Sequence, residues 1–286
     1  MKVLVTGATG HFGGLVVKSL LNQMDAKNIS VSVRNPEKAS SLSEMGIDVR
    51  HGDFDFPETL ATAFDGIDKL LIVSTDLDNE TRIRQHKAAV AASKTAGIKH
   101  IIYTSVADAS HSSLALAEVH RQTEKAIIES GIAYTFLRNN WYLENEVSSI
   151  QAANAGAPWV TSAESGKVGW TLKREYAEAA ANVLASEGHE NKIYELSSQP
   201  QTQEKLASVV SAVIGKEIPV FHVSDEVYGE SLRAANLPDF LVELFKDIQK
   251  SIREGALDVV SSDLEKLLGR KPLSLEEAVS EIVKSF

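Results

Sequence analysis

Val3-Leu4-Val5-Thr6-Gly7-Ala8-Thr9-Gly10-His11-Phe12-Gly13-Gly14 stands almost at the start of the chain, and its reading decides the fold. A short run suited to a strand passes into a glycine turn, and the turn opens a helical pattern over residues 13–21. Gly7 permits the tight turn, Gly10 lets the backbone approach a pyrophosphate, and Gly13 lets the helix pack close to the strand. A pyrophosphate would then sit on free N–H groups at the helix N-terminus. The spacing is G-x-x-G-x-x-G and not the generic G-x-G-x-x-G, so the strand–turn–helix context carries the argument.

Outward from that turn, short apolar runs alternate with helical patterns. Strands are expected at Val3–Thr6, Ile29–Val33, around Val49, Leu70–Ser74, Ile101–Ser105 and Tyr134–Leu137. Helices are expected at residues 13–21, Glu58–Phe64, Arg82–Ala96 and Leu114–Ser130, with Gly97 and Gly131 as left-handed caps after the last two. The alternation implies an α/β fold, a Rossmann-type doubly wound parallel sheet with a smaller, mostly helical C-terminal lobe. Beyond residue 140 the expected elements are a helix-like stretch Trp141–Ala155, a helix Lys173–Ala185 and a strand Lys192–Leu196. Capping boxes are expected at Ser262…Glu265 and Ser274…Glu277. The division this suggests is a nucleotide-binding core over 1–140, with returns near 171–198, and a substrate-side lobe with the C-terminal helices over 141–286.

Composition narrows the function classes. The chain has 286 residues, 43% of them hydrophobic and 24% charged, enough apolar content for a sizeable core. Its net charge of −10, with the basic residues scattered, argues against nucleic acid and anionic lipid as partners. There is no cysteine, so disulfides, thiolate metal sites and a cysteine nucleophile are excluded. Eight histidines show no tight ligand spacing, and no metal site is expected. No apolar run approaches the ~18 residues of a membrane span, and the glycine turn by Gly7 leaves no room for a signal peptide. The expectation is a cytoplasmic protein without a membrane segment; whether it forms a homo-oligomer stays open.

The second strand ends Val33-Arg34-Asn35-Pro36. NAD sites usually place an acidic residue here to accept from the ribose 2′-hydroxyl. Arg34 instead offers a guanidinium, which suits a 2′-phosphate and favours NADP(H) over NAD(H), with NAD(H) still open as a second carrier. The plainer reading of Arg34 is a solvated loop arginine.

Thr6-Gly7-Ala8-Thr9-Gly10-x-x-Gly13, Val33-Arg34-Asn35, His51-Gly52-Asp53 and Gly131-Ile132-x-Tyr134-Thr135 resemble the NmrA-like branch of atypical short-chain dehydrogenase/reductases. Within it, Leu137-Arg138-Asn139-x-x-Tyr142, Gly188-His189-Glu190-x-Lys192 and the tail Asp263-Leu264-x-Lys266-Leu267-x-Gly269 are similar to bacterial NAD(P)H:quinone oxidoreductases and triphenylmethane reductases. The resemblance implies that Gly7, Ala8, Thr9, Gly10, His11, Phe12 and Gly13 hold the pyrophosphate and Arg34 the 2′-phosphate. It implies Asp53 and Phe54 at the adenine, and Ser74 and Thr75 along the ribose and diphosphate. Thr104, Ser105, Arg138, Asn139 and Asn140 would border the nicotinamide. Gln85 reads either as a cofactor contact or as a surface amide.

The chain departs from typical short-chain dehydrogenases in one respect. None of its six tyrosines is followed four residues later by lysine, so the Tyr-x-x-x-Lys proton donor is missing. Where isoflavone-reductase-like relatives carry their lysine, eleven residues before Gly131, stands His120. A quinone, or a cationic triarylmethane dye, can accept hydride without such a donor and needs mainly proximity and a dry stacking surface. Val106, Ala107, Trp141 and Tyr142 are the expected lining, and His120 or Tyr142 could hydrogen-bond an acceptor oxygen. The bland alternatives are core aromatics for Trp141 and Tyr142 and a structural hydrogen bond for His120. The expectation is therefore an NADPH-preferring reductase of quinones or similar electron-poor aromatic rings. Its rivals are a non-catalytic NADP-binding redox sensor and, further off, a sugar epimerase.

Overall fold

The computed structural model describes residues 1–286. Strands β1 (Val3–Thr6), β2 (Ile29–Val33), β3 (Asp48–His51), β4 (Lys69–Ile72), β5 (His100–Val106) and β6 (Ala133–Asn139) form one parallel sheet, completed by the strand Lys192–Leu196. The order across it is β3-β2-β1-β4-β5-β6 and then Lys192–Leu196. Strand order therefore reverses direction between β1 and β4, and open α/β sheets bind ligands in the crevice outside the strand ends at such a reversal.

Alternation along each strand sends side chains into two different cores. Val3 and Val5 of β1 join Leu71 and Ile102 on one face, while Leu4 joins Leu70, Ile72, Ile101 and Tyr103 on the other. A sheet covered on both faces needs apolar residues at consecutive positions, which is why these runs lack polar alternation. Helices α1 (His11–Leu20), α2 (Ser40–Glu44), α3 (Glu58–Phe64), α4 (Asn79–Thr95) and α5 (Ala117–Ser130) connect the strands. The helix Lys173–Ala185 lies against α1, and its buried Ala177, Ala180 and Ala181 are small side chains that permit close approach. Gly97 and Gly131 are left-handed, at φ +73 and +76.

The remaining chain builds a lobe with its own buried cluster. Leu206, Val210, Ile252, Leu257 and Val279 are fully or almost fully buried there, beside Val106, Ala107 and Leu114 from the sheet side. Two small sheets that the sequence pattern does not reveal hold it: Trp159–Thr161 pairs parallel with Val220–His222, and Lys167–Val168 pairs antiparallel with Gln201–Thr202. No helix is long and apolar enough to cross a membrane.

Besides shifts of one to three residues at element ends, as where α4 begins at Asn79 and α5 at Ala117, two expected features differ in kind. The stretch Trp141–Ala155 is not one helix: Tyr142 bridges to Thr171, a 3-10 turn covers Leu143–Glu146, and the α-helix spans only Val147–Asn154. Asn140 Oδ1 accepts from the Trp141 N–H at 2.7 Å, and Thr171 exchanges backbone bonds with Trp141 and Leu143, so this segment's polar groups are satisfied without a helix. Of the two expected capping boxes only Ser274–Glu277 forms. Ser262 sits at φ −100, ψ 3, makes no capping bond, and leaves the Asp263 N–H to the Ser261 hydroxyl.

Candidate active site

The C-terminal ends of β1 to β6 border one cleft of about 750 Å³. At its β1 end Gly7 takes φ +65, its N–H donates to Ser32 O, and its own carbonyl accepts from Gly10 N–H. A Cβ on Gly13 would lie 2.4 Å from the Gly7 carbonyl oxygen, so only glycine lets α1 start this close to the turn. Helix α1 begins after Gly10 without any side-chain cap. Its first N–H groups are therefore left to a ligand, and the positive helix terminus favours an anion there. Arg34, exposed beyond β2, lines the same cleft and enters no ion pair.

Strand ends are stitched together where the cleft crosses the sheet. The Val73 N–H donates to Thr6 Oγ1 and the Ser74 N–H donates to Thr104 Oγ1, both at 2.9 Å. These bonds fix Ser74 and Thr75 in register with Thr104 and Ser105. Asp53 and Phe54 follow β3, and the Asp53 N–H donates to Thr59 Oγ1 at 2.9 Å. Gln85 is buried, not a surface amide; its Nε2 donates to Asp55 at 3.1 Å while its Oε1 has no partner.

Four of the buried polar atoms without partners belong to cleft residues: Ser32 Oγ, Arg82 Nε, Gln85 Oε1 and Asn139 Oδ1. Buried polar groups are normally paired, so this concentration marks a wall built to hydrogen-bond a polar ligand. With the uncapped α1 and the unpaired Arg34, this mixture of donors and acceptors fits a phosphorylated dinucleotide.

On the β5–β6 side the wall becomes aromatic and apolar, with Leu116, Trp141 and Tyr142. The Tyr142 ring stacks on Phe12 with centroids 6.1 Å apart, carries Lys173 Nζ 5.3 Å above it, and receives Asn139 Nδ2 on its hydroxyl at 3.2 Å. Burial pushes the phenol up to about 12, so it stays neutral. Lysine thus meets this tyrosine through the ring face, an arrangement that does not lower the phenol as Tyr-x-x-x-Lys does.

His120 lies 5% exposed on α5. Burial, then the Arg82 guanidinium and His86, hold its imidazole well below the usual histidine range. Its Nε2 lies 3.4 Å from Arg82 Nη2 and its Nδ1 lies 2.9 Å from the Tyr103 hydroxyl. A guanidinium can only donate, so Nε2 is the acceptor and Nδ1 carries the proton. The same logic fixes His86, whose Nε2 accepts from the Thr75 N–H at 3.1 Å and whose Nδ1 faces Thr123 Oγ1 at 2.9 Å.

The cleft brings together Gly7, Thr9, Gly10, His11, Phe12, Gly13, Arg34, Asp53, Phe54, Ser74, Thr75, Gln85, Thr104, Ser105, Val106, His120, Asn139, Asn140, Trp141 and Tyr142. Three expected residues stand apart from its lining. The Ala8 methyl is buried in the core beneath the turn, and Ala107 is fully buried in the lobe cluster. Arg138, expected to border the nicotinamide, is held instead by carboxylates: Nε and Nη2 bind both oxygens of Glu124 at 2.9 and 2.7 Å, and Nη1 binds Glu195 at 3.0 Å. That buried ion pair acts at one remove, because Glu124 also accepts from the Ser105 hydroxyl at 2.6 Å and fixes its direction. Arg82, Leu116 and Lys173 line the cleft without having been expected there. Arg82 sits in the first turn of α4, among charges that in sequence look like an ordinary solvated helix start.

The NmrA-like family model matches residues 1–278. Over 281 residues, 98% of both chains, the sequence is 37% identical to quinone oxidoreductase 2 of Escherichia coli. Its NADPH complex superposes with a TM-score of 0.94 over 98% of this chain and 99% of that one. The NADP(H) complex of Citrobacter sp. triphenylmethane reductase is 43% identical, with a TM-score of 0.94 over 98% of this chain and 100% of that one. An NAD(P)H azoreductase of Xenophilus azovorans is 27% identical over 99% of both chains. With its sheet order, its glycine turn and this match along nearly the whole sequence, the chain belongs to the NmrA-like family.

Proposed function

We infer that this chain is an NADPH-using reductase whose acceptor is a quinone or a similar electron-poor aromatic ring. The observation that carries the reading is one continuous cleft with two kinds of wall. Anion-binding groups, the uncapped α1 and Arg34, stand on the β1–β2 side; Leu116, Trp141 and Tyr142 stand on the β5–β6 side. Relatives named for NADPH-dependent quinone reduction and triphenylmethane reduction, 37% and 43% identical, support it.

When bound, NADPH supplies the hydride. The glycine turn and α1 hold its diphosphate, Arg34 its 2′-phosphate, and Ser74, Thr75, Thr104 and Ser105 its sugar and nicotinamide portions. Ser105 gives its proton to Glu124, so toward the cleft its oxygen accepts. Tyr142 and Trp141 supply a flat surface for an acceptor ring and exclude water from it. Neither Tyr142, with its raised phenol, nor neutral His120 is set up as the proton donor a ketone needs. Acceptors that become aromatic, or lose a positive charge, on taking hydride do not need one. The reading places the chain in the cytoplasm, where NADPH is the working reductant. Its test is protein-dependent oxidation of NADPH by simple quinones.

A further inference from the structure

We propose that Arg82 is the anion-binding residue of the acceptor pocket: its guanidinium receives the oxygen on which negative charge collects when a quinone is reduced. The proposal rests on the reductase reading above and adds a rule of substrate choice. The pocket favours acceptors whose reduced form is an anion over acceptors that begin as cations.

Arg82 reaches across the cleft wall from α4. Its Nη2 donates to Ser74 Oγ at 2.8 Å and toward His120 Nε2 at 3.4 Å. Its Nε is buried without a partner, Nη1 has no protein acceptor, and no carboxylate pairs with it. The other arginines nearby behave differently: Arg84 pairs with Asp55, and Arg138 pairs with Glu124 and Glu195. A half-buried cation held only by a hydroxyl and a neutral imidazole is expensive to keep, because desolvation of its charge is not offset by a counterion. Asp76, which also lines the cleft, acts on it only at longer range. Such a charge suits a negative group that arrives with turnover, since preorganised donors aimed at developing charge are among the largest sources of rate enhancement. Neutral His120 serves as a positioning residue, its Nε2 lone pair holding the guanidinium plane.

The chemistry balances. A C–H bond of NADPH breaks and its hydrogen passes to the quinone with both electrons, leaving NADP⁺ and a hydroquinone monoanion. Water then supplies the proton that completes the hydroquinone. A cationic triarylmethane instead takes the hydride at its central carbon and becomes neutral, so it gains nothing from a fixed cation.

The test compares 1,4-benzoquinone and malachite green as acceptors for wild type, Arg82→Gln and Arg82→Lys, with NADPH affinity measured by calorimetry. Arg82→Gln is expected to lower quinone kcat by about 100-fold. Whatever the change in NADPH Kd, the quinone reaction should fall about tenfold or more beyond the dye reaction, and Arg82→Lys should recover part of the quinone rate. Independently, 4-nitrophenol is titrated into the NADP⁺-loaded proteins at a pH below its solution pKa. Wild type should show the yellow phenolate absorption, and Arg82→Gln should not. Equal loss with both acceptors, an unchanged quinone rate, weakened NADPH binding with an unaltered acceptor ratio, or nitrophenol bound neutral by wild type each overturns the assignment. If wild type reduces neither acceptor, the reductase reading fails by itself, and the phenolate titration still decides whether Arg82 binds anions. Should Arg82→Gln fail to fold, the wild-type titration and Arg82→Lys carry the decision.

Discussion

On the proposed reading, a single side chain decides which nicotinamide carrier this cleft takes. Arg34 stands past β2 without an ion pair, free to bind a phosphate, and no acidic residue ends that strand to receive a 2′-hydroxyl. Hydrogen bonds to charged groups contribute roughly 1.5–3 kcal/mol. Arg34→Ala should therefore raise the NADPH KM by about 10- to 100-fold while leaving the NADH KM nearly unchanged. Steady-state kinetics with each carrier check this, and an unaltered NADPH KM removes the 2′-phosphate contact from the account. The glycine turn and Arg34 could be read from sequence because their chemistry is local. Arg138 could not: its partners Glu124 and Glu195 lie 14 and 57 residues away in the chain, and only the fold brings them to it. Arg82 escaped for the same reason, since Ser74 and His120 meet it from two other elements.

Elements were legible where periodicity and termination agreed. The buried strands Val3–Thr6 and Ile29–Val33, the helix Glu58–Phe64 and the helix Lys173–Ala185 fall at their expected bounds. The stretch after β6 misled because Trp141 and Tyr142 continue an apolar pattern while their backbone bonds go to Asn140 and Thr171. The small lobe sheets are too short, two or three residues each, to show a period. Two serines with the same S-x-x-E signature separate signal from geometry. Ser274 is extended at φ −61, ψ 156 and caps Glu277, whereas Ser262 caps nothing. Ser274→Ala should lower unfolding free energy by about 1 kcal/mol and Ser262→Ala by only a few tenths. Chemical denaturation of the two variants distinguishes them; equal losses would contradict the geometry.

At the scale of the whole molecule, acid should loosen the fold through its buried histidines. Burial first, then the charge of Arg82, lowers His86 to about 3 from its ordinary 6.5, and His120 is lowered in the same direction. Below pH 6.5 the unfolded chain gains protons that the folded chain refuses. Stability is then present above that pH and lost as pH falls toward 3, by up to ~1.4 kcal/mol per unit for each such histidine. Denaturant midpoints should fall between neutral and mildly acidic pH, and His86→Gln should flatten the slope. A wild-type midpoint that is flat over this range, or the same slope in the variant, would show that His86 is not held neutral.

The doubly wound sheet also sets where function sits, because the reversal between β1 and β4 opens the crevice in which anion-binding and aromatic walls meet. That meeting is tested most directly by following the absorbance of reduced nicotinamide with purified protein, NADPH and a panel of simple quinones, with NADH alongside. The account predicts loss of NADPH that requires both protein and quinone and is faster than loss of NADH. NADPH that binds by calorimetry yet is never oxidised would contradict it, and would make the cleft that of a dinucleotide sensor.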